Sequence, residues 1–167
     1  MTDAIRTERL TLRRFSQADV PAVVSALQDR DVARMLPLLP WPYTAQDALA
    51  FITGPAAATP LCYAVTYQDR LVGGIEITDH LGYWLGRAGW GQGFATEAAR
   101  AVLDLHFAAD HTPLRSGHRP ENAASRRVLL KLGFCDTLPK TVFCNAEGHA
   151  VTIQQMQLTH TDWKAVR

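Results

Sequence analysis

Apolar and polar positions alternate along this chain in blocks that mark out its elements. Leu10-Thr11-Leu12-Arg13 alternates and predicts a first strand. Val20, Val23, Val24 and Leu27 then recur at helical spacing behind Ser16 or Asp19 as a cap, and a short helical piece is expected from Asp31 to Leu36. The three prolines of Pro37-Leu38-Leu39-Pro40-Trp41-Pro42-Tyr43 forbid regular structure there. Its apolar side chains either line a groove or plug the core from a loop. Thr44-Ala45-Gln46-Asp47 is a capping-box pattern opening a helix through Ile52, which Gly54-Pro55 stops; Pro55 to Pro60 reads as a connector.

Three strands follow, Leu61 to Tyr67, Leu71 to Thr78 and Leu81 to Leu85, with Gln68-Asp69-Arg70 and Asp79-His80 as hairpin turns. A two-residue turn at Asp79-His80 sets Thr78 opposite Leu81 and Glu76 opposite Tyr83. A long amphipathic helix comes next, its stripe made by Phe94, Ala98, Val102, Leu105 and Ala109, with Glu97, Arg100 and Asp104 outside it. Leu114 to His118 predicts a short strand. A helix over Ala123 to Leu132 starts after Pro120-Glu121-Asn122 and ends at Gly133. Thr137 to Cys144 and Ala150 to Thr159 close the chain as two strands. The order predicts a mixed α/β (α+β) fold, a largely antiparallel central sheet of about seven strands with helices on both faces. Residues 1–167 are long enough for one domain and short for two.

Composition changes this picture little. With 47% hydrophobic and 20% charged residues and a net charge of +1, nothing points to nucleic acid or a membrane surface as partner. Cys62, Cys135 and Cys144 lack C-x-x-C spacing and read as reduced thiols, which places the expected compartment in the cytoplasm. Met1 to Arg6 lacks the apolar core of a leader, and no metal site is suggested. A homodimer is allowed by the sequence but not indicated by it.

The chemistry concentrates at Trp90-Gly91-Gln92-Gly93-Phe94-Ala95-Thr96-Glu97-Ala98. A glycine-rich turn feeding a helix start presents main-chain N–H groups with no intrahelical partner, at the positive end of the helix dipole, and so offers a seat for phosphate. The same turn can equally serve only to reverse the chain. No Gly-Lys-Ser/Thr follows, and Thr96 breaks the G-x-G-x-x-G pattern, so neither nucleotide-binding fingerprint is met.

In its order of motifs the chain resembles the GNAT N-acetyltransferases, most of all the subgroup acetylating the N-termini of ribosomal proteins. Thr7-Glu8-Arg9-Leu10-Thr11-Leu12-Arg13, Gly82-Tyr83-Trp84-Leu85, the glycine turn, and Asn122-Ala123-Ala124-Ser125 continuing to Lys131-Leu132-Gly133-Phe134 carry the likeness, which runs from about Thr7 to Trp163. The resemblance implies acetyl-CoA as cosubstrate. It implies that the amides of Gly91, Gln92, Gly93, Phe94, Ala95 and Thr96 hold the pyrophosphate, and that the backbone at Tyr83, Trp84 and Leu85 pairs with the pantetheine arm. An amide of that strand would polarise the thioester carbonyl. Asn122 would bond the pantetheine arm, while by itself reading as a helix N-cap.

Two departures stand out. Ala88 occupies the position where the family often has Gln or Arg, which leaves Arg87 to serve the phosphates. Leu129 stands where many members carry the tyrosine that protonates the departing thiolate, so Ser125 or a water takes that role. Direct transfer to a primary amine, a protein N-terminus or a small molecule, is the implied reaction, with no acyl-enzyme. A lysine-like amine is neutral in a few molecules per ten thousand at about pH 7 and an α-amine in roughly one in ten, so a base matters less for an N-terminus. Glu76, His118 and Glu97 are the candidate bases, with Glu76 first; each also has a structural reading, as a solvated sheet residue, a surface histidine and a dipole-favouring carboxylate. The competing hypothesis is a catalytically silent CoA-binding sensor, motivated by Leu129.

Overall fold

The computed structural model describes residues 4–167, so the reading of Met1 to Arg6 falls in part outside the described residues. The strands among them are β1 (Ala4–Arg6), β2 (Leu10–Arg13), β3 (Leu61–Tyr67), β4 (Arg70–Ile77), β5 (Leu81–Leu85), β6 (Leu114–His118), β7 (Cys135–Asp136), β8 (Lys140–Cys144) and β9 (His149–Leu158). The helices are α1 (Val20–Leu27), α2 (Arg30–Ala33), α3 (Ala45–Thr53), α4 (Pro55–Ala58), α5 (Phe94–Ala109), α6 (Ala123–Lys131) and α7 (His160–Ala165). The strands form two antiparallel groups rather than one sheet: a five-stranded sheet in sequence order from β1 to β5, and a second in which β9 pairs with β6, β7 and β8. Between the groups, β5 and β6 meet through one parallel bridge, His80 to Arg115, and then part.

Alternation along the strands builds a core on each face of the first sheet. Leu10, Leu12, Tyr63, Val65, Ile75, Ile77 and Leu81 pack with α5, α6 and α7. Trp84, Leu71 and Phe15 pack on the other face against Val23, Leu27 and Val32. Helix α5 spans the expected range, but its buried stripe is Phe94, Ala95, Ala98, Ala99, Val102, Leu103, His106 and Phe107. Leu105 and Ala109 fall off it, because adjacent pairs repeating every four residues drift less around the helix than the expected single positions.

Four expectations change. The β4–β5 hairpin is offset by one residue, so that Ile75 faces Tyr83 and Glu76 faces Gly82; a slip of one moves a side chain to the other face. Pro55–Ala58 is helical rather than a connector. The stretch from Thr137 starts its ladder at Lys140, and Cys135–Asp136 pairs separately with β9. Helix α7 was not anticipated, although Thr159 and Asp162 form a capping box at its start. The proline loop divides between its two readings: Leu39 and Trp41 pack on the β8–β9 hairpin, while Leu38 is 77% exposed. No helix among the described residues is long and apolar enough to cross a membrane.

At the start of α7 the His160 ring stacks on His111 at 3.8 Å and on Phe107 at 5.5 Å. Loss of hydration first, and then the charges of His111 and Lys164, hold the His160 imidazole below its usual range. The unfolded chain therefore takes up a proton that the folded chain resists, so this group favours folding fully above about pH 6.5 and less as pH falls. The melting temperature is expected to decline between about pH 7 and pH 5, with His160→Gln flattening that decline. An unchanged slope in the variant would remove the histidine stack as its cause.

Candidate active site

The glycine turn links β5 to α5 in the conformation its composition requires. Gly91 and Gly93 have φ of 72° and 78°, the left-handed region that side chains disfavour. The amides of Gly91, Gln92, Gly93, Phe94, Ala95 and Thr96 have no acceptor among the described residues, and the ladder of α5 opens with Glu97 N–H donating to Gly93 O at 3.1 Å. A row of consecutive donors at the positive end of a sixteen-residue helix is a site for an anion.

The turn is held from behind. The guanidinium of Arg9 donates through one terminal nitrogen to Gln92 O at 2.9 Å and through Nε to the Glu97 carboxylate at 2.8 Å. Thr7 Oγ1 and the Arg9 amide also donate to Glu97, at 2.6 and 2.8 Å. Burial pushes the Glu97 carboxyl up, but the bonds from Thr7 and Arg9 outweigh it and hold the group below its ordinary range. Glu97 is thus an anchor tying the β1–β2 turn to the first turn of α5, its carboxylate engaged by Thr7 and Arg9. Thr7 and Arg9 stood within a recognised stretch of sequence, but nothing local signals contacts across more than eighty residues.

Beside the turn, β5 keeps one edge open. Gly86 N–H donates to Val72 O and Thr78 N–H to His80 O, so by antiparallel alternation Trp84 and Gly82 turn their amides and carbonyls toward β4. Trp84 is therefore not placed to pair with a pantetheine arm, contrary to expectation. Tyr83 and Leu85 point their main-chain groups the opposite way. Two side chains confirm that direction: Ser116 Oγ donates to Leu81 O, and the Trp90 indole donates to Leu85 O, both at 2.9 Å. The N–H and C=O of Tyr83 and the N–H of Leu85 remain facing the gap where β5 and β6 diverge.

Helix α6 forms the opposite lip. Asn122 caps it, with Oδ1 accepting from Ser125 N–H at 3.0 Å, so the capping role is realised, and the residue also lines the cleft. Ser125 Oγ lies 2.7 Å from the Tyr83 hydroxyl. Burial raises the Tyr83 phenol to about 12, against the bond to Ser125. Leu129 is fully buried in the core.

The remaining candidates separate. Glu76 lies on the face of the sheet opposite Tyr83, across from Gly82, where a Cβ would come 3.5 Å from the carboxylate; the missing side chain leaves room beside it. Cys62 neighbours Glu76 on β3, and burial first, then the Glu76 charge, push its thiol up to about 12, which leaves no thiolate for an acyl-enzyme. His118 is buried. Its Nδ1 lies 2.8 Å from Arg119 O and its Nε2 3.4 Å from an Arg126 nitrogen. A guanidinium can only donate, which assigns the proton to Nδ1 and commits the Nε2 lone pair. His118 is thus buried with a partner at each ring nitrogen, not the surface histidine of its structural reading. Arg87 is also engaged: it donates to Asp29 at 2.8 and 2.9 Å and to Asp31 at 2.7 Å, and makes no hydrogen bond to residues 91–96.

One cavity of about 1110 Å³ joins these parts, its lining including Leu39, Tyr43, Glu76, Tyr83, Gly91 and Ser125. An open strand edge beside a helix start with free amides suits an extended ligand with an anionic group, and comparison with known proteins names the family. Residues 9–135 match the acetyltransferase (GNAT) domain, and the chain belongs to that family. It is 28% identical to the uncharacterized N-acetyltransferase p20 of Bacillus licheniformis over 96% of this chain and 98% of the relative. A GNAT-family acetyltransferase structure from Bacillus anthracis superposes with a TM-score of 0.78 at 24% identity, covering 93% of this chain and 98% of that one. The ribosomal L7/L12 α-N-protein acetyltransferase RimL, solved with coenzyme A, shares the fold at a TM-score of 0.78 and 19% identity, covering 93% and 97%.

The brace behind the turn has a measurable cost of removal. Glu97→Gln keeps the shape but weakens the charge-assisted bonds, and is expected to lower stability by about 1–2 kcal/mol, the partly exposed Arg9 limiting the loss. Amide exchange in the first hydrogen-bonded turn of α5, residues 97–100, should accelerate in step. Exchange as slow as in the unaltered chain would show that the turn stands without Glu97.

Proposed function

We propose that this chain, as one domain over residues 1–167, is an acetyl-CoA-dependent N-acetyltransferase acting on a primary amine by direct transfer in a ternary complex. The observation that carries the reading is the unbroken run of unpaired amides from Gly91 to Thr96 beside the open edge of β5. Those amides seat the diphosphate without a side-chain cation. The main-chain groups of Tyr83 and Leu85 take the place of a neighbouring strand for the amide-bearing pantetheine arm, and Asn122 Nδ2 adds a donor from the other lip. Acetyl-CoA supplies the activated acyl group.

The residues then divide the chemistry by face. Glu76 receives the proton of the incoming amine, directly or through water, from the side lined by Tyr43 and Leu39. An amide of Tyr83 or Leu85 donates to the carbonyl oxygen as it takes on charge. Ser125 donates from the opposite side to the sulfur as its bond to carbon breaks. The relatives support an acetyltransferase; the acceptor follows from the apolar approach, which suits a peptide N-terminus or small amine better than a polycation.

Isothermal titration tests the cofactor seat. Acetyl-CoA is expected to bind with a Kd in the micromolar range, about −8 kcal/mol, and the double variant Gly91→Glu/Gly93→Glu to abolish binding. No binding to the unaltered chain at millimolar acetyl-CoA ends the proposal. Thiol release across a panel of peptides, polyamines, aminoglycosides and amino acids tests transfer; binding with turnover on none of them would mark a CoA-binding sensor instead.

Glu76→Gln reads the base and the acceptor together. With a lysine-like amine the turnover is expected to fall roughly 100-fold near neutral pH and to recover as pH rises. With an α-amine, neutral already in about one molecule in ten, the loss shrinks to a few-fold. Equal and small losses on both would remove Glu76 from the chemistry.

A further inference from the structure

The family's usual thiolate-protonating tyrosine is replaced here by Leu129, a core residue with no polar atom to offer. A tyrosine from another element reaches the same helix. Tyr83 comes from β5, its ring packed against the main core, and its hydroxyl ends 2.7 Å from Ser125 Oγ and 3.4 Å from Ser125 O. We propose that Tyr83 is a positioning residue for thioester cleavage, its hydroxyl donating to Ser125 Oγ so that the serine proton is aimed at the departing sulfur. This inference rests on the N-acetyltransferase reading of the site.

The direction of the bond follows from what each hydroxyl can do. A serine hydroxyl has one proton and two lone pairs. No group other than Tyr83 contacts Ser125 Oγ at hydrogen-bond distance among the described residues. When the sulfur needs a donor, Ser125 turns its proton to it, and a lone pair of Oγ is free to accept from Tyr83. The phenol stays protonated across the physiological range and remains a donor throughout. Accepting one hydrogen bond polarises the serine O–H and makes it a better donor in turn. The proton balance needs no ionised tyrosine: the sulfur receives charge as the C–S bond breaks, the two hydroxyls stabilise it by hydrogen bonds, and the proton finally on the thiol is the one lost by the amine nitrogen, returned through Glu76 or water.

A structural alternative is that Tyr83 only fills space between the sheet and α6. The two roles differ in a property that requires no acceptor: the ionisation of the thiol of bound coenzyme A, followed by the ultraviolet absorbance of the thiolate. Donors aimed at sulfur favour the thiolate. Tyr83→Phe, which keeps the ring, is expected to reduce the ionisation constant of the bound thiol about three- to tenfold, the worth of one hydrogen bond. Ser125→Ala should reduce it at least as far, and the double variant no further than Ser125→Ala alone, because Tyr83 acts through the serine. Turnover on the fastest amine of the panel should fall with the same non-additive pattern while the KM for acetyl-CoA stays put.

An unchanged thiol ionisation in Tyr83→Phe, or losses that multiply in the double variant, would overturn the inference. Should Tyr83→Phe lose stability, Ser125→Ala and the melting temperatures of all three variants separate the packing loss from the effect on sulfur. Failure of coenzyme A to bind the unaltered chain would instead strike at the acetyltransferase reading itself.

Discussion

A strand denied its neighbour is the constraint on which this site depends. β5 satisfies one row of its main-chain groups through β4, and the other row is closed at its two ends by side chains rather than by a strand. Ser116 caps the carbonyl of Leu81 and the Trp90 indole caps that of Leu85, so β6 bridges to the first sheet at His80 and then leaves it. What remains open is a short peptide-like edge at Tyr83 and Leu85. Because the edge lines a cavity rather than sitting in the core, water can satisfy it until a ligand does, which keeps its cost in the free protein small. The free amides of the glycine turn follow the same logic one step along the chain.

The offset of the β4–β5 hairpin determines how chemistry is shared across that edge. With Glu76 opposite Gly82 and Ile75 opposite Tyr83, the carboxylate belongs to the face packed by α1 and α3, and the tyrosine belongs to the face packed by α5 and α6. On the proposed reading, a thioester in the gap would be approached from one side by a proton acceptor and from the other by hydroxyl donors. In the register first expected, both side chains would have shared a face, and the sulfur and the amine nitrogen would have been served from the same direction. One residue in a turn thus places Glu76 and Tyr83 on opposite faces of the sheet.

Much of this was legible from local pattern because local pattern caused it. Gly91 and Gly93 could be read because only their positive φ gives the turn its shape, and Thr44 and Asn122 because capping acts within three residues. The failures have the opposite character. Arg87 looked free because its partners, Asp29 and Asp31, lie nearly sixty residues upstream. His118 read as a surface histidine because nothing in sequence places Arg126 across from it, and Tyr83 was valued for its backbone alone because its hydroxyl finds Ser125 across forty-two residues. Helix α7 is the exception, missed although its capping box was in plain view at Thr159 and Asp162.

The commitment of Arg9 and Arg87 bears on how an anion is held. A carboxylate in the first turn of α5 is favoured by the dipole, yet it sits where a diphosphate would draw on the same positive end. Left alone, Glu97 would repel such a ligand. Arg9 cancels that charge at 2.7 Å while its other nitrogen fixes the Gln92 carbonyl, so the incoming anion meets amides and a helix end rather than a carboxylate. The brace is therefore electrostatic as well as mechanical: it removes a competitor for the dipole with the same contact that holds the turn in shape. Arg87, stacked over Trp90 and bound to two aspartates, fixes the entrance of the turn in the same indirect way. Arg9 and Arg87 are both engaged by the chain's own carboxylates, so that on the proposed reading a diphosphate would be recognised by main-chain geometry.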